Sequence, residues 1–144
     1  MIHLIQGFMA RVDALRRQAH FGDMDQAIIA GMVGVGSIEH MMRVPEFREA
    51  FGDYQTVIGI DGQRGVNAFS IAQATGIPRE TVRRKLKDLV ARGVVMEKTR
   101  GVYIMKPGFV QQPENVAALQ QVLGHFLQLM NDAVNLGIVK MAKS

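Results

Sequence analysis

The sequence of 144 residues predicts a mainly α-helical protein with one small β-hairpin. Apolar residues recur at helical spacing near both ends of the chain, and two short helical segments in the middle are separated by Gly76. Two β-rich runs follow, with Gly101 between them. Hydrophobic residues make up 48% and charged residues 21% of the chain, a balance typical of a globular domain with a sizeable core. The length suits one domain with helical extensions and excludes a large multi-domain enzyme.

The first third of the chain is predicted to form three helices. Residues 2–19 place apolar side chains on one face and basic side chains mostly on the other, as in an amphipathic helix. Asp23 is suited to cap a second helix over 25–42, which is apolar around much of its circumference and is therefore expected to be buried. Pro45 ends this helix, and a third is expected over about 46–58.

Three glycines lie inside the second predicted helix, at Gly31, Gly34 and Gly36. Their spacing superficially matches a dinucleotide-binding loop, but such a loop follows a strand and this segment lies within a helical pattern. We expect the glycines to let two helices pack closely and to bend the helix.

The next segment predicts a pair of short helices. After a loop over 61–65, residues 66–69 are compatible with a short strand. Ser70 is placed to cap a helix over 71–75, which Gly76 ends in a tight turn. A second helix directly after this turn would complete a pair of short helices joined by a glycine.

That second helix is predicted to begin at Pro78 and to run to about Ala91. Proline suits a first helical turn, because the amide that it lacks has no partner there. The runs 94–98 and 102–106 are rich in β-forming residues, and Gly101 lies in the turn between them. The sequence therefore predicts a β-hairpin directly after the helix pair.

Residues 114–141 are predicted to form one long helix with two apolar faces. Two apolar faces imply two packing partners, which we expect to be the chain's own N-terminal helices and a second copy of the chain. An intramolecular bundle that hides both faces is the alternative. The expected organisation is N-terminal packing helices over 1–48, a central domain over 49–108 and a C-terminal dimerisation helix over 109–144.

Positive charge is concentrated in the middle of the chain. The formal net charge is +4. Residues 64–106 hold ten basic side chains against three acidic ones, a net of +7, so the remainder of the chain nets −3. A basic centre between weakly acidic ends suits one surface that faces a polyanion and other surfaces that do not.

Residues 70–95 and the hairpin after them resemble the winged helix-turn-helix of bacterial transcriptional regulators, most closely those of the multiple-antibiotic-resistance regulator (MarR) type. The resemblance covers roughly residues 54–108. It implies a homodimer that binds duplex DNA in a sequence-specific manner and regulates transcription, with residues 78–91 in the major groove. The wing, about 98–102, would lie on the backbone or in the minor groove. Regulators of this type commonly end in two helices, whereas this sequence predicts one.

On this resemblance, the exposed face of the recognition helix supplies the candidate DNA contacts. Arginines there can each donate two hydrogen bonds to guanine, and Glu80 can accept one from a cytosine amino group. Lysines of the helix and wing suit phosphates, as does the Ser70 hydroxyl, and Arg100 suits a phosphate or the minor groove. The candidate set is Ser70, Arg79, Glu80, Thr81, Arg83, Arg84, Lys85, Lys87, Lys98 and Arg100.

Other classes of function find less support in the sequence. The runner-up is a winged-helix module that binds a protein or RNA without sequence-specific DNA binding, because exposed charges would also solvate such a helix. Catalysis is not expected, since no nucleophile elbow, phosphate loop or paired-carboxylate pattern is present. Ten methionines are compatible with an adaptable pocket for a small-molecule effector or with simple filling of the core.

No metal site, cofactor or membrane span is expected. The chain has no cysteine, and its histidines are scattered rather than spaced as metal ligands: His3, His20, His40 and His125. The longest apolar run, 27–38, has 12 residues, whereas a membrane helix needs about 20. The N-terminus lacks the pattern of a signal peptide, so the expected compartment is the cytoplasm.

Overall fold

The computed structural model describes residues 1–19, 22–53, 55–140 and 142, and these residues are mainly helical. The helices are α1 (Ile2–Gln18), α2 (Met24–Ile38), α3 (Pro45–Phe51), α4 (Ala68–Thr75), α5 (Arg79–Ala91) and α6 (Pro113–Asn135), with a short 3-10 turn at Met41–Arg43. The strands β1 (Val95–Thr99) and β2 (Val102–Met105) pair in an antiparallel hairpin. The predicted class, mainly α with a small β-hairpin wing, is confirmed.

The chain divides into two compact units. The terminal-helix unit contains Met1–Gly22 and Pro113–Ser144, and the winged unit contains Asp23–Gln112. The sequence-based division grouped α2 with α1 in residues 1–48. That division stays a prediction. In the structure, α2 packs against α4, α5 and β2 and belongs to the winged unit.

In the terminal-helix unit, α1 and α6 pack against each other. The rings of Phe8 and Phe126 meet edge to face, with 6.2 Å between their centroids. Within this pair, α1 has no buried residue, and Ala133 is the buried residue of α6. Much of the apolar surface of both helices therefore stays exposed in a single chain.

α6 ends at Asn135, before the predicted end at 141. The cause is Gly137, whose φ of +71° lies in the left-handed region that glycine adopts without strain. The amide of Ile138 donates to the carbonyl of Ala133 at 2.9 Å and closes the helix. Met141 itself, like His20, lies outside the described residues.

α2 begins at the predicted cap and runs through its three glycines without interruption. The Asp23 carboxylate accepts hydrogen bonds from two first-turn amides at 2.9 and 3.3 Å. The expected close approach occurs at Gly36, where a Cβ atom would lie 2.5 Å from Cγ1 of Val66. The neighbour is thus the segment before α4 and not a second helix. α2 ends at Ile38 rather than Met42, and the 3-10 turn follows.

α3 is shorter than predicted, ending at Phe51 instead of near residue 58. Gly52 follows it, and the Asp53 carboxylate then accepts hydrogen bonds from two backbone amides, at 2.8 Å and, from Thr56, at 2.6 Å. Such a side-chain turn competes with helical hydrogen bonding. The local chemistry after Phe51 therefore ends the helix.

α4 begins earlier than predicted and has a different cap. The side-chain oxygen of Asn67 accepts a hydrogen bond from the Ser70 amide at 2.8 Å, so Asn67 is the cap and Ser70 lies in the first turn. The strand expected over 66–69 is reduced to a single bridge between Val66 and Tyr103. Asparagine and serine are comparable caps. The chain enters α4 at Asn67, so Asn67 takes the cap position.

The core of the winged unit lies between α2, α4, α5 and the hairpin. Its most deeply buried apolar side chains include Ile29, Val33, Ile71, Val82, Leu86, Leu89, Val95 and Ile104. Three of these belong to α5, so one face of that helix is held in the core and the other faces outward. Across the described residues, no helix is both long and apolar enough to cross a membrane.

Candidate nucleic-acid interface

The turn between α4 and α5 is set by Gly76 and Pro78. Gly76 has a φ of +75°, and its amide donates to the carbonyl of Ala72 at 2.9 Å, which closes α4. Pro78 directly precedes α5, and its carbonyl accepts a hydrogen bond from the amide of Val82 at 3.0 Å. The expected helix-turn-helix is present, and α5 matches the predicted recognition helix to within one residue.

α5 presents a charged surface opposite its buried face. Successive helical residues are rotated by about 100°, so Glu80, Arg84 and Lys87 point away from the core. Arg79 and Arg83 lie on one flank, and all five side chains are exposed. Thr81 lies on the other flank and is half-buried. Four cations and one carboxylate on one outward surface suit a polyanionic partner.

Phe69 is a residue of this surface that the sequence analysis missed. It lies in the first turn of α4 and is 50% exposed. The guanidinium carbon of Arg79 lies 5.7 Å from the centroid of its ring, a cation–π distance. Apolar periodicity alone assigns a phenylalanine to the core, so no signal in the sequence separated Phe69 from its buried neighbours.

Lys85 differs from the other predicted contacts on α5. Its ammonium group forms an ion pair and hydrogen bond with the carboxylate of Asp23, and its side chain is only 12% exposed. The hydrogen bond from Lys85 is the main reason that the pKa of Asp23 is lowered. The structure thus uses Lys85 to join α5 to the start of α2, whereas the sequence assigned it to a phosphate.

A second polar contact joins the same two helices. Arg92, at the end of α5, donates from Nη1 to the side-chain oxygen of Gln26 at 2.8 Å. Gln26 is buried in the first turn of α2. Because Lys85 and Arg92 are two helical turns apart, α5 is attached to α2 along its length, which fixes the angle at which its outer face is presented.

The wing is a tight turn between β1 and β2. Gly101 has a φ of +75°, and its amide donates to the carboxylate of Glu97 at 2.8 Å. The strand register shifts between Glu97 and Thr99. Arg100 is exposed at the tip, as predicted. Glu97 therefore braces the turn that carries Arg100.

Lys98 is half-buried and is held by the base of the wing. Its ammonium group donates to the carbonyl of Gln63 at 2.6 Å. Gln63 is itself buried and exchanges two hydrogen bonds of 3.0 Å with the backbone of Met105. The structure gives Lys98 an internal partner, which the sequence pattern did not indicate.

Tyr103 connects the wing with α5 electrostatically. Burial raises the pKa of its phenol, the Glu97 carboxylate raises it further, and the Arg83 guanidinium opposes both effects. Tyr103 also exchanges backbone hydrogen bonds of 2.9 and 2.8 Å with Val66. Arg83 on α5 and Glu97 on β1 thus both lie close enough to Tyr103 to influence the pKa of its phenol.

Other predicted features are placed as follows. Ser70 is exposed in the first turn of α4. Within the described part of the chain, no group of three or more histidine or acidic side chains could hold a metal ion. A groove of about 470 Å³ is lined by residues outside α5, namely Gly36, Glu39, His40, Arg43 and Arg64. The small-molecule effector stays a prediction.

A helix-turn-helix with a basic outer face, followed by a wing, defines a DNA-binding protein of the winged-helix class. Residues 63–137 match the family described as Firmicute plasmid replication protein (RepL). The match spans 75 of the 144 residues, from the loop before α4 to the end of α6, and the chain belongs to this family. The match is to plasmid replication proteins and not to MarR-type regulators. No curated protein and no solved structure gave a significant match.

Proposed function

We propose that this chain is a sequence-specific duplex DNA-binding protein that acts in plasmid replication. One observation carries the proposal: α5 buries one face completely and directs Arg79, Arg83, Arg84 and Lys87 outward beside the wing. An α-helix of this kind fits the major groove, where arginines can read guanine. The family to which the chain belongs supports replication as the process.

The proposed DNA contacts are fewer than the candidate contacts predicted from the sequence. Arg79, Arg83 and Arg84 read base edges with Glu80, and Lys87 and Arg100 contact phosphates. Lys85 and Lys98 act within the protein, because both ammonium groups have internal partners. The proposal assigns no catalytic step to the chain.

The proposed assembly is a homodimer built from the terminal-helix unit. Large apolar side chains of α1 and α6 are exposed in one chain, including Ile2 at 69% and Leu127 at 57%. Exposed apolar surface on paired helices favours association with a second copy. Two copies would present two recognition helices to two half-sites about 10 base pairs apart or a multiple of that.

The first test is selection of duplexes from a random DNA library by the purified protein at moderate salt. An enriched inverted repeat is the expected result. The double variant Arg83→Ala/Arg84→Ala should then lose at least about tenfold in affinity for the selected duplex, because a good arginine–guanine pair contributes about 1–3 kcal/mol. The charge-matched control Arg43→Ala/Arg48→Ala removes two exposed arginines of the same unit outside α4, α5 and the wing, and should bind as the wild type does.

Transcriptional regulation is the second candidate function, favoured by the resemblance of residues 70–95 to MarR-type regulators. A plasmid that carries the selected duplex distinguishes the two processes. Replication is supported if the plasmid is maintained only when the chain is supplied and is lost with Arg83→Ala/Arg84→Ala. Regulation is supported if the plasmid is maintained without the chain and only a reporter beside the duplex responds. No enrichment at all would favour the protein- or RNA-binding module.

A further inference from the structure

Phe69 is a large aromatic residue that the core of the winged unit does not use. Its neighbours in α4, Ala68 and Ile71, are 7% and 2% exposed, whereas Phe69 is 50% exposed. The packing of α4 on α5 is therefore supplied by residues other than Phe69. The exposed position of Phe69 therefore has to be explained by a contact at the protein surface.

The contact that Phe69 makes is with a predicted DNA-reading residue. The Arg79 guanidinium carbon lies 5.7 Å from the ring centroid, inside the range of about 6 Å for a cation–π interaction. Arg79 is the first residue of α5 and is exposed. Among the described residues, no acidic partner is found for Arg79 within ion-pair distance. The aromatic ring is thus the contact that holds its head group.

A cation–π contact leaves an arginine able to hydrogen-bond, because the ring attracts the charge of the guanidinium and the group carries five N–H donors. A free arginine side chain loses rotamer entropy on binding. Fixing the head group beforehand reduces that loss and restricts the direction in which the fork of donors points.

We propose that Phe69 is a positioning residue that holds Arg79 in the orientation in which it reads a base pair, so that α4 takes part in base recognition through α5. The inference rests on the proposed function, because it needs Arg79 to contact DNA. It adds a specificity-determining residue from the first helix of the helix-turn-helix. Phe69 itself touches no base in this proposal.

The test compares base preferences of variants selected on the same random duplex library. Arg79→Ala should remove the preference at one base pair of each half-site. Phe69→Leu should weaken the preference at that same base pair by about 2- to 5-fold, the effect of an exposed cation–π contact. Phe69→Tyr keeps the ring and should restore the preference. The control Val57→Ala alters another apolar residue of the winged unit, 44% exposed, and should leave all preferences unchanged.

The double variant separates positioning from direct contact. If Phe69 acts only through Arg79, then Phe69→Leu in the Arg79→Ala background changes nothing further. An undiminished effect of Phe69→Leu in that background would overturn the inference, since Phe69 would then contact DNA itself. Full preference in Phe69→Leu alone would also overturn it, while leaving the proposed function in place. A wild-type protein that selects no sequence would reject the proposed function and this inference together.

A measurement without DNA checks the contact itself. The ring current of Phe69 should shift the proton resonance of Arg79 Hε in the free protein. Phe69→Leu should abolish that shift and leave the thermal unfolding midpoint nearly unchanged, because the ring is half exposed. An Arg79 resonance that is identical in the wild type and in Phe69→Leu would contradict the cation–π contact on which the inference depends.

Discussion

Lys85 on α5 forms an ion pair with Asp23, the residue that caps α2. The Asp23 carboxylate therefore has two roles. It accepts hydrogen bonds from the amides of its own helix, and it binds the ammonium group of Lys85 on α5. The pair joins the first residue of the winged unit to the helix that carries the proposed DNA contacts. The stability of this unit and the placement of α5 should both depend on it.

Removal of the Asp23 carboxylate should destabilise the protein. Asp23→Ala loses the cap and the ion pair, and the free energy of unfolding should fall by about 1–2 kcal/mol, as measured by urea denaturation. Asp23→Asn should cost less, because its amide oxygen still caps α2. The control Asp25→Asn removes a charge from the same turn without removing the cap. Equal losses for Asp23→Asn and Asp23→Ala would show that the cap contributes nothing.

The contribution of Asp23 should also depend on pH. Its pKa is lowered from 3.8, first by the hydrogen bond from Lys85 and also by those from the amides of Gln26 and Asp25. A lowered pKa in the folded state means that the stabilisation is fully present above the unfolded value and is lost as the pH falls through the folded value. The stability difference between wild type and Asp23→Asn should hold at neutral pH and shrink below about pH 4. A difference that grows on acidification would contradict this assignment.

Two lysines of α5 should differ in their effect on salt dependence. Lys87 is exposed, whereas Lys85 is 12% exposed and paired. Lys87→Met should reduce the slope of log affinity against log salt concentration by about 0.9, the release expected for one phosphate contact. Lys85→Met should leave the slope unchanged, with folding checked by circular dichroism. The same reduction for both variants would mean that Lys85 leaves Asp23 to bind DNA.

Two glycines of α2 should respond in opposite directions to alanine. At Gly36 a Cβ atom would lie 2.5 Å from Cγ1 of Val66, and Gly36→Ala should destabilise by about 1–3 kcal/mol through overpacking. At Gly31 a Cβ atom meets nothing within 4 Å, and Gly31→Ala should stabilise by about 0.5–1 kcal/mol through helix propensity. Thermal unfolding of the two variants provides the measurement. A stabilising Gly36→Ala would refute the close approach.

Association should depend on the exposed apolar face of α6. Leu123→Gln/Leu127→Gln replaces two side chains that are 43% and 57% exposed. This change should convert a dimer into a monomer in analytical ultracentrifugation, and should weaken binding to an inverted repeat more than to a single half-site. Gln120→Ala/Gln121→Ala alters two exposed polar residues of the same helix and should leave the dimer intact. A wild-type monomer at all accessible concentrations would reject the homodimer.

Local signals predicted the parts of the fold that depend on few neighbours. The recognition helix was expected over 78–91 and is found at Arg79–Ala91. Pro78 lies directly before it, and Gly93, with a φ of +73°, follows its end; both act within one turn. The turns at Gly76 and Gly101 have the positive φ that their positions suggested. The cap of α4 and the end of α3 were predicted wrongly, because two local alternatives of similar strength competed there.

The sequence by itself determined the class of protein, the helix that faces outward and the concentration of positive charge on it. Periodicity, caps and glycine turns act over a few residues and can be read from the chain directly. Only the tertiary structure decided which cations have partners inside the protein and which are exposed. Asp23 and Lys85 are 62 positions apart, and the packing of α2 on α5 brings them into contact. Lys87, two residues further along α5, is exposed, so its charge remains available to a partner.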